Sequence, residues 1–193
     1  EGNTLLILSD RGVDKDYAPI PALLAVSGLH HHLIKKGTRT SVSILIESGE
    51  PREVHHFATL IGYGAEGINP YLAFESIRDL MEKGEIAASS LEVAVEKYVK
   101  SVTDGVVKVL SKMGISTIQS YRGAQIFEAV GIHNDVIDKY FTRTSSRLGG
   151  IRLEMIEKEV LMRHANVYGH GRGDFLTLDS GDEFQYRENG EDH

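Results

Sequence analysis

The sequence predicts an α/β fold in which a partial parallel sheet, ordered βαβαβ, is followed by a mainly helical segment. Three short apolar runs in the first half alternate with stretches of helical periodicity. The runs are continuous in Val, Ile and Leu rather than strictly alternating with polar residues, which is typical of strands in a parallel sheet. The second half opens on a long amphipathic pattern with the period of an α-helix.

The strands and helices of the first half follow one another in a regular order. The predicted strands are TLLIL at 4–8, VSILI at 42–46 and GINPYL at 67–72, and the predicted helices are at 19–37 and 51–65. The first helix ends at Lys35, Lys36 and Gly37, a typical helix stop. We expect the strands to be buried on both faces, because helices of a βαβ sheet cover both sides.

The second half is predicted to be helical. Apolar residues between Leu91 and Met113 trace one face of a long helix, which Gly105 weakens. Shorter helical patterns follow at 123–131, 133–141 and 152–165. The tail after residue 169 is rich in turn residues around FLTL and EFQYR, which favours a small hairpin.

The chain is predicted to divide where hydrophobic periodicity lapses, in EKGEIAASS. This places one unit at 1–82, a linker at 83–90 and a second unit at 91–193. A chain of 193 residues is long enough for one sizeable core or for an α/β unit with an appended helical part.

Composition excludes several classes of function. The net charge of −7 gives no general support for binding nucleic acid, whose affinity depends on neutralising phosphates. No run of about 18 apolar residues is present, so we expect no membrane span. The chain has no cysteine, which excludes disulfides, thiolate nucleophiles and cysteine-held metal clusters within it. The same absence favours a cytoplasmic protein.

Polar residues follow the first two predicted strands. Asp10 and Arg11 come after the first, and Glu47 directly follows the second. Ligands of parallel α/β sheets bind at the carboxyl ends of the strands, so these side chains are candidates for a polar ligand site. The alternative is structural: they pair with one another and cap neighbouring helices.

A second set of polar candidates lies in SKMGISTIQSYRGAQIFEAVGI, residues 111–132. Lys112 and Arg122 are suited to holding an anion or a carboxylate, with Gln119 hydrogen-bonding alongside. Equally, the apolar residues of the segment favour a packed connector whose polar groups tie neighbouring loops. These apolar residues are Met113, Ile115, Ile118, Ile126 and Phe127.

Two histidine clusters, at 30–32 and 55–56, raise the question of a metal site. Consecutive helical residues point about 100° apart, and neither cluster has the i, i+4 spacing of helical zinc ligands. His31 lies on an apolar stripe, so we interpret it as a buried, hydrogen-bonded histidine. We predict no metal ligands. GHGRG at 169–173 lacks the strand and the Lys-Ser/Thr ending of a phosphate loop and is predicted to be a flexible turn.

Four long blocks of sequence, together with the C-terminal end, form one ordered pattern. They are LSDRGVD…PIPALLAVSGLHHHLIKKGTRT, ESGEPREVHHFATLIGYGAEGINPYLAFE, KVLSKMGISTIQSYRGAQIFEAVGI, YFTRTSSRLGGI and, at the end, GDEFQYRENGEDH. This pattern resembles the large subunit of glutamate synthase over nearly the whole chain. Because it rests on several blocks in the same order, it is more specific than any single short motif.

The resemblance implies a multidomain enzyme. Glutamate synthase forms two glutamates from glutamine and 2-oxoglutarate, using reducing equivalents. Ammonia released by an N-terminal amidotransferase domain passes internally to an FMN-binding (β/α)8 barrel with a [3Fe-4S] cluster, and a central α/β domain lies between the two. By this resemblance, residues 1–82 are similar to the end of the central domain, and residues 91–193 to the helical lead-in of the synthase domain.

The chain departs from the family at its reactive groups. It has neither the nucleophilic cysteine nor the cluster cysteines, and it lacks the family's Ala-Met-Ser-Tyr-Gly-Ser, Gly-Glu-Gly-Gly-Glu-Asp and Lys-Pro-Gly-Glu-Gly-Gly-Gln stretches. The resemblance therefore assigns no catalytic, cofactor-binding or metal-binding residue to this chain. We expect the isolated chain to be catalytically incomplete and to bind neither FMN nor an iron–sulfur cluster.

The sequence therefore predicts an internal fragment of glutamate synthase with a positioning role. Its expected partners are the rest of the large subunit and the electron-donating small subunit, with self-association through an uncovered apolar face and no nucleic acid or membrane. One alternative is a free-standing module that binds a dicarboxylate; its residues would be Asp10, Arg11, Glu47, Lys112 and Arg122. Another is a docking surface for the small subunit. The electron donor, whether NADPH, NADH or ferredoxin, is not predicted.

Overall fold

The computed structural model describes residues 2–169 and confirms the predicted α/β class. The strands are β1 (Leu5–Ser9), β2 (Ser43–Glu47), β3 (Gly67–Asn69), β4 (Glu128–Ile132) and β5 (Ser145–Ile151). The helices are α1 (Ala22–Lys35), α2 (Val54–Gly62), α3 (Tyr71–Glu82), α4 (Leu91–Lys112), α5 (Ile118–Tyr121), α6 (Asn134–Tyr140) and α7 (Leu153–Tyr168). A single 3-10 turn, Arg39–Ser41, precedes β2.

The first sheet is parallel throughout, with the strand order β1-β2-β3. Its register aligns the last residues of the three strands, pairing Ser9 with Glu47 and Glu47 with Asn69. Burial is less complete than the sequence predicts, since Leu5 and Ile7 on β1 are 50% and 61% exposed. The expectation of two buried faces is wrong for β1, because this strand lies at the edge of the sheet and one of its faces is left open within residues 2–169.

The third strand is shorter than predicted, and a helix follows it directly. The strand ends at Asn69 because Pro70 has no backbone N–H to donate to a ladder. Pro70 instead stands at the N-cap position of α3, where a missing N–H costs little. The sequence reasoning therefore extended the strand into the first turn of a helix that it did not detect.

The helix predicted at 123–131 is wrong, because this region contains strand β4. Gly123 and Gly131 adopt positive φ angles of 73° and 76°, which an α-helix cannot accommodate. β4 pairs in parallel with β5, forming a second, two-stranded sheet with irregular register. Paired residues of the two strands are 17 to 19 positions apart in the chain, so local periodicity carries no signal of this pairing.

Three apolar clusters form the core. The first lies between the first sheet and helices α1 and α2; its buried members are Ala22, Val26, Ile46, Leu60 and Ala65. The second joins α2, α4 and α5 and is centred on Phe57, Val106, Leu110 and Tyr121. The third surrounds α6 and comprises Val136, Ile137 and Phe141. Residues after position 90 thus share a core with residues before position 82.

Some expectations fall on residues that the structure does not describe. The C-terminal hairpin and all but the first residue of the predicted GHGRG turn lie outside the described residues. Within residues 2–169, no helix is both long enough and apolar enough to cross a membrane.

Candidate functional site

The carboxyl edge of the first sheet brings Asp10, Arg11 and Glu47 together, as the strand order predicts. Glu47 is the centre of one group of contacts. Its Oε1 accepts from Arg11 Nε at 2.7 Å and from Asn69 Nδ2 at 3.1 Å, while Oε2 accepts from Ser9 Oγ at 2.7 Å. These donors hold the pKa of Glu47 below its usual value, with the Arg11 hydrogen bond as the largest cause.

Asp10 forms the second group of contacts at this edge. Its carboxylate accepts from Ser48 Oγ at 2.6 Å, from the Gly49 amide at 3.1 Å and from the Tyr71 hydroxyl at 2.8 Å. Burial and the neighbouring Asp10 raise the pKa of Tyr71 to about 12. The Arg11 guanidinium lies over the Tyr71 ring, 4.1 Å from its centroid.

This arrangement favours the structural alternative for the carboxyl edge. All four carboxylate oxygens of Asp10 and Glu47 already accept hydrogen bonds from the chain itself. The contacts tie the ends of the strands to α3 through Tyr71. A polar ligand would have to replace bonds that are already made, so this edge offers little affinity for one.

A cavity of about 730 Å³ lies at the opposite, amino edge of the same sheet. Thr4 precedes β1, Ser43 begins β2 and Glu66 precedes β3, so the starts of all three strands contribute to its wall. Gln119 and Arg122 line it as well. Two of the predicted polar residues are therefore found here, together with residues that the sequence reasoning missed: His30, Arg39, Ser43 and Glu66.

Glu66 is the centre of the polar contacts in this cavity. Its Oε1 lies 2.9 Å from Arg39 Nη2 and 2.8 Å from Arg122 Nη1, and its Oε2 accepts from Ser43 Oγ at 2.8 Å. Burial alone would raise the pKa of this carboxyl group, but the Ser43 and Arg39 hydrogen bonds and the Arg122 charge hold it below its usual value. Glu66 is therefore ionised at neutral pH.

Arg39 is held rigidly by four acceptors. Its Nε donates to His30 Nδ1 at 2.9 Å, and its terminal nitrogens donate to the carbonyl oxygens of Val42 at 2.7 Å and Gly64 at 2.9 Å, in addition to Glu66. Burial, followed by the Arg39 charge, lowers the pKa of His30 to about 4. His30 is thus neutral at pH 7, with Nδ1 as the acceptor and the ring proton on Nε2.

His31 differs from its predicted role. It lies on the inner side of α1, but its Nε2 is buried and has no hydrogen-bond partner among the described residues, so the expected hydrogen bond is wrong. The ring packs edge-on against His30, with 5.1 Å between centroids, and burial lowers the pKa of His31. Within residues 2–169, no group of three or more His, Asp or Glu side chains is placed to hold a metal ion.

The predicted polar residues do not converge on one site. Asp10, Arg11 and Glu47 lie at one edge of the sheet, and Gln119 and Arg122 lie at the other, about 13 Å away along β2 at 3.3 Å per residue. Lys112 ends α4 and does not line the cavity. The dicarboxylate module proposed from five of these residues therefore has no single pocket in which to bind its ligand.

The segment 111–132 is anchored mainly by one aromatic residue. Tyr121 is fully buried, and its hydroxyl donates to the Ala58 carbonyl of α2 at 3.1 Å. Ile115, Ile126 and Phe127 pack against the same cluster, as the connector interpretation predicts. Met113 and Ile118 differ from that interpretation because they are about half exposed.

The missed cavity residues carry no local signal in the sequence. Arg39 and Glu66 are 27 residues apart and lie near the starts of the paired strands β2 and β3. Glu66 also contacts the predicted Arg122, 56 residues farther along the chain, only through the tertiary fold. The position of Arg39 and Glu66 shortly before two predicted strands is a usable signal, because residues that precede parallel strands lie at the amino edge of the sheet.

Comparison with known proteins adds an independent observation. The family profile described as the glutamate synthase central domain matches residues 1–133, more than two thirds of the chain. The chain belongs to the glutamate synthase central domain family. This match continues through α4 and α5 and past residues 83–90, so the predicted division of the chain at that position stays a prediction.

Individual glutamate synthases are similar over the whole of this chain. The identity is 59% over 194 residues with the NADPH glutamate synthase large chain of Bacillus subtilis, 41% over 196 residues with the NADH glutamate synthase of Schizosaccharomyces pombe, and 42% over 204 residues with the ferredoxin-dependent glutamate synthase of Pyropia yezoensis. The chain spans 12%, 9% and 13% of these proteins, respectively. Because the three names carry three different electron donors, similarity over this segment does not assign a donor.

Proposed function

We propose that this chain is a positioning segment of a glutamate synthase. The reaction of the whole enzyme would form L-glutamate from L-glutamine and 2-oxoglutarate by reductive amination with internally channelled ammonia. The observation that carries this proposal is the family match over residues 1–133 together with 59% identity across the full chain. The segment itself would hold other parts of the enzyme in position and would not carry reacting groups.

The second apolar cluster supports such a role. It joins α2, α4 and α5 into one packed unit, with the fully buried Tyr121 at its centre. A packed unit of this kind transmits position because close-packed interiors deform little. Holding a reactive intermediate on a short internal route is worth several kcal/mol of barrier, because the translational entropy has already been lost. We propose that the segment keeps the ammonia-producing and ammonia-consuming parts of the enzyme at a fixed separation.

The cofactors that the family resemblance implies are FMN and a [3Fe-4S] cluster. A [3Fe-4S] cluster requires cysteine thiolates, and the chain contains none. For FMN, the cavity wall offers Arg39 and Arg122, but Glu66 offsets one of these two charges, and a single remaining positive charge is a poor match for a phosphate group. We therefore propose that FMN and the cluster are held by other parts of the enzyme.

The proposed partners follow from the same role. The remainder of the large subunit is the main one, because the chain spans only 9% to 13% of its relatives. Docking of the electron-donating small subunit on this segment stays a second proposal, and localisation in the cytoplasm a third. Charge reversal at Lys112, which is exposed at the end of α4, would test the small-subunit contact in a pull-down.

A chimeric enzyme tests the positioning role. The 193 residues would replace the matching segment of the Bacillus subtilis large chain, with or without Tyr121→Ala, and Met113→Ala as an exposed control in the same region. Glutamate formation would be measured with glutamine and, separately, with free ammonium as the nitrogen source. We expect Tyr121→Ala to reduce the glutamine-dependent rate more than the ammonium-dependent rate, because only the former needs the internal route.

Two outcomes would count against the proposal. A Tyr121→Ala chimera that loses both rates equally while remaining folded would show that the segment acts in the chemistry itself. Tyr121→Phe keeps the buried ring and removes only the hydroxyl, so it is less prone to unfold than Tyr121→Ala. It should reduce the glutamine-dependent rate in the same direction but by a smaller amount. Glutamate formation by the isolated 193-residue chain from 2-oxoglutarate and ammonium would also contradict the proposal.

A further inference from the structure

We infer that the cavity at the amino edge of the first sheet is a binding site for a small organic carboxylate. Its volume of about 730 Å³ is in the range of small-molecule sites. Nine of its eleven described lining residues have polar side chains, among them the hydroxyl residues Thr4, Thr40 and Ser41. This inference is independent of the positioning role, which rests on Tyr121 and the second apolar cluster.

The charge of the cavity favours an anion. Among the described residues that line the cavity, two guanidinium groups, Arg39 and Arg122, face a single carboxylate, Glu66, and His30 adds no charge at neutral pH. The described lining therefore carries a net charge of about +1 in a chain whose overall charge is −7. A single positive charge matches a carboxylate better than a phosphate, which carries nearly two negative charges at pH 7.

The two arginines have different roles in this site. Arg39 donates to four acceptors and is held in place, so it supplies charge. Arg122 contacts Glu66 through Nη1 only, which leaves Nε and Nη2 without a partner among the described residues. These two nitrogens form one side of a guanidinium fork, the geometry that binds both oxygens of a carboxylate.

Gln119 completes the polar surface around Arg122. It lies three residues before Arg122, next to it on the cavity wall, and its amide can donate to a carboxylate or accept from a hydroxyl on the ligand. The site thus recognises a carboxylate that carries a nearby hydroxyl or carbonyl group. Lysine side chains do not line the cavity, so a fixed planar donor rather than a flexible ammonium group determines the selectivity.

An NMR titration of the 193-residue chain with L-lactate tests the inference. We expect saturable shifts of the backbone amides at 39–43, 66 and 119–122, with a dissociation constant in the millimolar range. Arg122→Gln should weaken binding by about tenfold or more, because it removes the free fork. Glu66→Gln should strengthen binding severalfold, because it removes the competing carboxylate. Arg78→Gln on α3, which removes the same charge outside the cavity, should leave the affinity within about twofold.

The same titrations also give the results that would overturn the inference. The inference is overturned if no saturable shift occurs up to tens of millimolar lactate, or if Arg78→Gln weakens binding as much as Arg122→Gln. Tighter binding of inorganic phosphate at equal ionic strength would overturn the assignment to a carboxylate. Each variant is checked by circular dichroism, and the opposite signs expected for Arg122→Gln and Glu66→Gln keep the test valid if one variant is unstable. A chimera experiment that contradicts the positioning role would leave the carboxylate site unaffected, because the two tests depend on different residues.

Discussion

Gly105 of α4 lies against Val54 of α2 so closely that a β-carbon at position 105 would overlap the Val54 methyl groups. A glycine within an exposed helix is ordinarily less stable than alanine by about 1 kcal/mol. Here we expect the opposite: Gly105→Ala should destabilise the chain by about 1–3 kcal/mol, because overpacking forces the two helices apart. Urea unfolding followed by circular dichroism measures this difference.

A second substitution separates steric overlap from other causes. Val54→Ala removes the methyl groups that would collide, so Gly105→Ala introduced into a Val54→Ala background should cost much less than in the original chain. If Gly105→Ala stabilises the original chain, the close approach of α2 and α4 is contradicted. Gly105, which lowers the helix propensity of α4, is thus the residue that allows α4 to pack closely against α2.

His30 links stability to pH. Its pKa is lowered from 6.5 to about 4, chiefly by burial and then by the Arg39 charge, so the unfolded chain binds a proton at a higher pH than the folded chain does. The free energy of unfolding should therefore fall as the pH decreases from about 6.5 to about 4. His31, whose pKa is also lowered, contributes in the same direction, whereas Glu66 titrates only below its usual value of 4.5.

The variant His30→Asn measures the contribution of this residue. Asparagine can still accept from Arg39 Nε but does not titrate, so the pH dependence between 4 and 6.5 should become shallower. Urea unfolding at several pH values gives the slope directly. An unchanged slope in His30→Asn would show that other groups account for the acid sensitivity, and His55→Asn, on the exposed side of α2, is the matched control.

At the scale of elements, α4 begins at a side-chain cap. Ser90 Oγ accepts from the Val93 amide at 3.4 Å, a long contact that still satisfies a helix N-terminal donor. We expect Ser90→Ala to destabilise the chain by about 0.5–1 kcal/mol in thermal or urea unfolding. Ser101→Ala, at an exposed position within the same helix, should be neutral or slightly stabilising, because alanine is the better helix former. Equal losses from both would contradict the cap.

The placement of α4 also bears on domain organisation. This helix follows the predicted linker at 83–90, yet its apolar side packs on α2 and α3, elements of the first sheet unit. A sequence scan detects a lapse in periodicity, which marks a connection between elements but does not distinguish a domain boundary from a loop. Contacts between distant elements bear on that question, and hydrophobic periodicity does not record them. The division at 83–90 stays a prediction.

At the scale of the whole molecule, apolar side chains remain exposed in several places. Val130 and Leu148 pair across the second sheet and are 69% and 63% exposed, and Leu161 and Met162 on α7 are about half exposed. Exposed apolar patches mark contact surfaces, so we expect the isolated chain to self-associate as its concentration rises. Sedimentation velocity at increasing concentration measures this association.

A charge on the patch should reverse the association. Leu148→Lys is expected to shift the isolated chain toward monomer, because it places a hydrated ammonium group in the middle of the apolar pair. Val107→Lys, at an exposed site on α4, is the control and should leave the association unchanged. A chain that stays monomeric at all concentrations would contradict the expected self-association.

The parts of the fold that the sequence alone determined are those coded by local periodicity. The predicted apolar runs at 4–8 and 42–46 and the long stripe from Leu91 to Met113 correspond to β1, β2 and α4 within a residue. Each of these patterns is complete within its own element, because side-chain period reports which face of a helix or strand is buried. The resemblance to glutamate synthase also required only the linear order of residues, and it is confirmed by the family match.

Tertiary structure decided the rest. β4 is a strand because β5 pairs with it. The amino-edge cavity exists because parallel strand pairing and the packing of α5 on α2 together bring Arg39, Glu66 and Arg122 into contact. The carboxyl-edge residues also meet in space, but only their hydrogen-bond partners show that they bind one another. Strand pairing, formation of the cavity and hydrogen bonding of the polar side chains all depend on residues that are far apart in the chain. No local sequence pattern therefore predicts them.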